Sequence, residues 1–217
     1  MWMCISNKCQ FVPQANGFTV ASGTCNANLV IRQVTSAPFD KKVLIPSLTT
    51  GREATSLTIE IQNTTASALY LDQIPLTLES MGMSSFEYDI LRVNMYASSN
   101  GVSDYGDGNN GLNLVCIAFG PFAGTVNETL GGGQTGGCGV SAFSQIPAGA
   151  TRRFVLDFAF QYIGFRDLTN RQYRLNLAST AGFKARVGST AAAPTAQTAC
   201  MVPGTPMLGS FFKFAAP

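Results

Sequence analysis

The stretch that decides the fold is TSLTIEIQNTTASALYLDQIPLTLES, residues 55–80. Leu57, Ile59 and Ile61 alternate with Thr58, Glu60 and Gln62, and after the polar NTTAS the alternation resumes, with Leu69 and Leu71, then Ile74, Leu76 and Leu78, on one face. A repeat of two places successive side chains on opposite faces of an extended chain, so this segment predicts two half-buried strands joined by a turn.

Outward from it, strand-like runs recur at short intervals: GFTVASG, ANLVIRQV, KKVLIP, SFEYDILRVNMY, LNLVCIAF, RRFVLDFAFQY, RQYRLNLAS, GFKARVG and SFFKF. In RRFVLDFAFQY the inward set is Phe154, Leu156, Phe158, Phe160 and Tyr162, with Arg153, Asp157 and Gln161 on a solvated outer face; in RQYRLNLAS it is Tyr173, Leu175 and Leu177. Helical periodicity is nearly absent. About nine or ten strands punctuated by Gly, Pro, Asn and Ser predict an all-β chain, an antiparallel β-sandwich of jelly-roll type, with a closed barrel as the structural alternative. Residues 1–16 form an N-terminal extended arm and 17–217 a single sandwich domain. The glycine-rich stretches 97–111 and 124–140 read as long loops, and 188–206 as an extended low-complexity connection.

Composition narrows the function. Of 217 residues only 12% are charged, while 46% are hydrophobic, so the surface is neutral and polar or partly hidden. A net charge of +2 with no Lys/Arg cluster offers no footprint for nucleic acid. No run of apolar residues is long enough to span a membrane. Cys4, Cys9, Cys25, Cys116, Cys138 and Cys200 lack the paired spacing of a zinc site and read as disulfides, in a pairing the sequence leaves open, although Cys116 and Cys138 flank one glycine-rich excursion. Disulfides imply an oxidising compartment, here the extracellular space or cell surface. The opening MWMCISNKCQFVPQANG has neither the basic leader nor the apolar core of a signal peptide, so a leader is either removed ahead of this numbering or was never present. Two Asn-x-Thr acceptors, Asn63 and Asn127, lie in polar stretches and are candidates for attached glycans, with ordinary turns as the alternative.

Catalytic equipment is sparse. With no histidine, the Ser-His-Asp and Cys-His arrangements are absent, and the scattered carboxylates form no acid/base pair; the chain does not read as an enzyme. Asp104 and Asp107 in SDYGDGNNG, with nearby asparagines, offer oxygen ligands for Ca2+, but their spacing departs from the calcium-loop pattern, and a polar turn that uses Asp and Asn for their backbone tolerance is the favoured reading; no other cofactor is expected.

A sandwich without catalytic groups but with unpaired sheet edges is suited to self-assembly, since a neighbour can complete an edge by adding a strand and a head-to-tail contact propagates as a filament. The candidate donor is the N-terminal arm, with Met1, Met3 and Ile5 on one face and Trp2 and Cys4 on the other; FFKFAAP at the C-terminus is the second candidate, and an ordinary edge strand of its own domain is the alternative for both.

The order GFTVASGTCNANLVI, then IPSLTTGREATSLTIEIQNTTASALYLDQIPLTLES, resembles the first part of the TasA/camelysin group of secreted matrix-fibre proteins and the related archaeal bundling pilins. Ser22-Gly23-Thr24 and Asn63 match that pattern, and Leu48-Thr49-Thr50-Gly51 stands where the family has a Pro-Gly turn. The resemblance covers residues 17–80. It implies a jelly-roll subunit whose N-terminal donor strand, here Met1 to Ile5, polymerises copies of the same chain into an extracellular fibre of a biofilm or cell surface. Two other classes stay open: a viral capsid or appendage jelly roll, and a secreted ligand-binding or calcium-dependent adhesion module built on the two long loops.

Overall fold

Alternation of apolar and polar residues becomes extended backbone in the described strands. The computed structural model describes residues 2–5, 8–11, 19–20, 23–34, 40–44, 53–81, 90–98, 114–119, 126–131, 143–160, 172–202, 207–209 and 211–215; among them the regular elements are β-strands, with no helix. In chain order these are β1 (Trp2–Ile5), β2 (Lys8–Phe11), β3 (Thr19–Val20), β4 (Gly23–Thr24), β5 (Leu29–Gln33), β6 (Asp40–Leu44), β7 (Glu53–Asn63), β8 (Leu69–Met81), β9 (Ile90–Ser98) and β10 (Leu114–Phe119). There follow β11 (Val126–Gly131), β12 (Gln145–Ile146), β13 (Thr151–Phe160), β14 (Gln172–Leu177), β15 (Lys184–Val187), β16 (Thr195–Ala196), β17 (Ala199–Val202), β18 (Met207–Leu208) and β19 (Phe211–Ala215).

Two large sheets result. The first has the order β10-β9-β13-β7-β5-β17; the second runs β16-β15-β8-β14-β19-β6, with β11 and β12 also on β8 and β18 on β14. Pairing is antiparallel except that β17 lies parallel to β5 and β19 parallel to β6. In both cases a strand from late in the chain returns beside an early one, over a connection long enough for the parallel sense. The β1–β2 and β3–β4 pairs form separate two-stranded ribbons.

One apolar cluster draws on both sheets, which makes the arrangement sandwich-like. Leu57, Ile59 and Ile61 of β7 and Phe154, Leu156 and Phe158 of β13 meet Leu69, Leu71, Ile74, Leu76 and Leu78 of β8 and Tyr173, Leu175 and Leu177 of β14. Each such side chain stabilises the fold by about 1.5–3 kcal/mol when fully buried. Phe158 and Tyr173 meet edge to face across the two sheets, with ring centroids 6.4 Å apart. The shift of the β8 pattern from odd to even positions has a local cause. Lys184 pairs with Gln73 but Ala185 with Leu71, so Asp72 is the extra residue of a β-bulge, and the bulge returns Ile74 to the face that Leu71 occupies.

A second bulge joins the sheets. Leu156 pairs with Leu57 and Asp157 with Thr55, which leaves Ser56 over; its Oγ accepts a hydrogen bond from the Leu175 amide of the other sheet at 2.8 Å. Gly209 enters the same gap, donating from its amide to the Leu175 carbonyl at 2.9 Å and to Asn176 Oδ1 at 3.2 Å. A Cβ on Gly209 would run into the Leu175 carbonyl oxygen and lie 2.6 Å from Ser56 Oγ. Gly209→Ala is therefore expected to destabilise the chain by about 1–3 kcal/mol, read as a lower denaturant midpoint at unchanged m-value.

The outer face of the first sheet departs from the sequence reading. Asp157 was expected in solvent, yet it is fully buried, as are its cross-strand partner Asn94, the adjacent Val155 and, nearly so, Tyr96 and Thr58. The alternation is there, but β13 is flanked by β7 and β9, and this part of its far face is covered too. Period two reports which face a residue is on, not whether that face meets water. Nearer the strand end, Arg153 and Glu60 do form a partly exposed cross-strand ion pair at 2.6 Å, worth under about 1 kcal/mol after solvent screening.

Two segments expected to be irregular hold strands. Residues 126–131, within the expected loop 124–140, form β11 on β8, and the expected connection 188–206 contains β16 and β17. Glycine content misled in the first case because pairing to a long, buried neighbour such as β8 outweighs weak intrinsic strand propensity. Residues 97–98 of the other expected loop belong to β9, while its positions 99–111, like Gln161 and Tyr162, fall outside the described residues.

Candidate functional site

For a chain expected to assemble, the relevant sites are sheet edges and the segment offered to them. Trp2, Met3, Cys4 and Ile5 are extended, as β1, and pair antiparallel with β2: Trp2 opposite Phe11, Met3 opposite Gln10, Cys4 opposite Cys9, Ile5 opposite Lys8. The arm doubles back into a ribbon separate from both large sheets. Met1 lies outside the described residues.

At one end of the first sheet a late strand covers β5 and becomes the terminal strand. β17 pairs along β5 from Ala199 opposite Leu29 to Val202 opposite Arg32. Just before it, the Leu29 amide donates to the Thr198 carbonyl at 3.0 Å, and Asn28 donates from its backbone to Thr198 Oγ1 and from Nδ2 to Gln197 Oε1. The Cys25–Cys200 disulfide, with Cα atoms 6.3 Å apart, pins the same junction across a sequence separation of 175. In a chain-entropy account, closing a loop of that length stabilises the fold by about 5 kcal/mol. At the opposite edge β10 pairs with β9, and in the second sheet β6 pairs with β19; among the described residues neither β10 nor β6 has a ladder on its other side. Such edges carry unpaired N–H and C=O groups.

The two glycosylation candidates prove different in kind. Asn63, at the end of β7, is completely buried. Its Nδ2 donates to the carbonyls of Ser67 (2.8 Å), Ile146 (3.0 Å) and Pro147 (3.2 Å), while Oδ1 accepts from the Thr65 amide (2.9 Å) and hydroxyl (2.8 Å). The nitrogen to which a glycan would be attached is thus spent on main-chain carbonyls, and Asn63 ties the β7–β8 turn to the β12–β13 turn. The signal for this role was present in the sequence: an Asn at a strand end, two residues before a Thr, is the pattern of a side chain that closes its own turn. Asn127 stands opposite Thr77 in the β11–β8 ladder, within a strand and not in a turn.

Two arginines on the second sheet are matched with carboxylates. Arg174 meets Glu79 at 2.6 Å and stacks over the Phe211 ring at 4.3 Å, while Asn176 Nδ2 also donates to Glu79. Arg186 meets Asp72 at 3.0 Å and donates to the Ala192 carbonyl at 2.8 Å. Burial lowers the Arg152 guanidinium from its ordinary value, and its Nη1 donates to the Gln145 carbonyl at 2.8 Å. The Arg174–Glu79 and Arg186–Asp72 pairs align strands, and in both the carboxylate already faces a guanidinium. Among the described residues no three His, Cys, Asp or Glu side chains come together as a metal site, and no helix is long and apolar enough to cross a membrane. Asp104, Asp107 and Cys138 lie outside the described residues. Cys116 is buried in the core cluster and disulfide-bonded.

No family model matches the chain, and no curated protein matches its sequence.

Proposed function

We propose that the chain is the structural subunit of an extracellular filament, a pilus or biofilm-matrix fibre of the TasA/camelysin kind, in which jelly-roll subunits polymerise head-to-tail and the N-terminal segment of each completes a sheet of the next. The observation that carries this reading is the β1–β2 ribbon, which belongs to neither large sheet. A two-stranded ribbon is marginal in water by itself and gains stability when a sheet edge takes it up. Among the described residues the terminal strands open to that addition are β10 and β17 of the first sheet and β16 and β6 of the second. The Cys25–Cys200 disulfide supports secretion into an oxidising compartment. Partners are further copies of the same chain.

Removal of residues 1–12 tests the reading. The truncated chain is expected to keep its β-sheet circular dichroism and run as a monomer on size exclusion, with no filaments by negative-stain electron microscopy, where the full chain forms them. Normal filaments from the truncated chain would eliminate N-terminal donation. Closed shells from the full chain would instead favour a viral coat or appendage role.

A further inference from the structure

We infer that the three disulfides of this chain are Cys4–Cys9, Cys25–Cys200 and Cys116–Cys138. The starting point is the bond between Cys25 and Cys200, which removes two of six cysteines from the choice. The four that remain can pair in three ways. Cys116 is disulfide-bonded, so its partner is Cys4, Cys9 or Cys138.

The β1–β2 ladder selects among these. Cys4 stands directly opposite Cys9 in an antiparallel pair. Opposite residues in such a ladder have Cα atoms about 4.5–5.5 Å apart, inside the span of about 4.4–6.8 Å that a disulfide bridges. A bond from Cys116 to either Cys4 or Cys9 would leave the other to find Cys138, and would draw apart two cysteines that stand opposite each other within four consecutive ladder positions. A ribbon that belongs to no larger sheet also gains most from a covalent tie, because its ladder alone is marginal. Once Cys4 and Cys9 are joined, Cys138 is the one thiol left for Cys116. Oxidation of each pair joins two sulfurs and releases two protons and two electrons to the oxidant of an oxidising compartment, such as a disulfide exchange partner. The pairing does not depend on the filament reading.

Trypsin separates the alternatives cleanly, because Lys8 falls between Cys4 and Cys9 while no Lys or Arg falls between Cys116 and Cys138. The native chain would be alkylated, denatured without reduction, digested at mildly acidic pH to prevent exchange, and mapped by mass spectrometry. Peptide 1–8 is expected joined to 9–32, which is joined in turn to 187–213, while 93–152 appears alone and two hydrogens lighter than its reduced form. A covalent link from 93–152 to 1–8 or 9–32, or alkylation at Cys4 or Cys9, would overturn the assignment. A non-reducing gel of the same sample should show only monomer; a disulfide-linked dimer would equally overturn it, by placing the Cys4 or Cys9 bond between chains.

Discussion

Ile59→Asp is expected to yield no folded protein, with the chain insoluble or lacking a cooperative unfolding transition. Ile59 is fully buried in β7, with Gln33 of β5 opposite it on one side and Phe154 of β13 on the other. A carboxylate there loses its hydration and faces the apolar cluster shared by the two sheets. Even after the group takes up a proton to avoid a buried charge, the lost packing and the unpartnered polar atoms cost several kcal/mol, against a typical total stability of about 5–15 kcal/mol. Ile59→Val is the control: removing one methylene should cost about 0.5–1.5 kcal/mol and leave a two-state transition. A soluble, cooperatively folding Ile59→Asp chain would mean that the Ile59 face of β7 does not pack into the cluster shared by the two sheets.

Asn63→Ala should have the next largest effect, a loss of about 2–4 kcal/mol measured by chemical denaturation. The substitution removes two donor hydrogens shared among three carbonyls and the acceptor for both Thr65 groups, all at a fully buried site. Each buried polar group left without a partner costs about 1–3 kcal/mol, and the sum is moderated because Pro147 also accepts from the Ala150 amide. Asn63→Asp should be worse at neutral pH. It keeps the acceptor for Thr65 but puts a carboxylate oxygen, an acceptor, where Nδ2 donated to three carbonyl oxygens, so the charged form is disfavoured in the folded state. The folded carboxyl then holds its proton more tightly than the unfolded one, and stability falls as pH rises through the ordinary carboxylate range. A loss below about 0.5 kcal/mol for Asn63→Ala would show that the two turns hold without it. Because the same nitrogen is the one a glycan would occupy, the folded chain from a glycosylating host should carry an unmodified Asn63 by intact mass.

Several elements were legible because their signal is local. The alternation in residues 55–80 marked the inward face of both β7 and β8, even across the bulge at Asp72, because each apolar residue there lies on the core face. The inward set of β13, Phe154, Leu156 and Phe158, followed from the same rule. Asp157 did not, since nothing within its own strand reports what lies over the far face. β11 and β17 were missed for a related reason: VNETLG and ACMV are weak strand formers held in place by β8 and β5, far away along the chain. The structural role of Asn63 was written in the sequence as a turn signal, but the same three residues also spell a glycan acceptor, and only burial separates the two meanings.

What the sequence determined by itself was therefore the two-residue period, and with it the all-β class and the core face of the long strands. It also supplied the absence of histidine chemistry and the presence of six cysteines. Which strands adjoin, where β17 turns parallel to close the β5 edge, which cysteine meets Cys25, and whether a polar side chain such as Asp157 or Asn63 ends in solvent or in the core were decided by tertiary structure. The division has a physical basis. Side-chain direction along a strand is set by neighbouring dihedral angles, whereas pairing and burial depend on contacts between residues more than a hundred positions apart, as between Cys25 and Cys200.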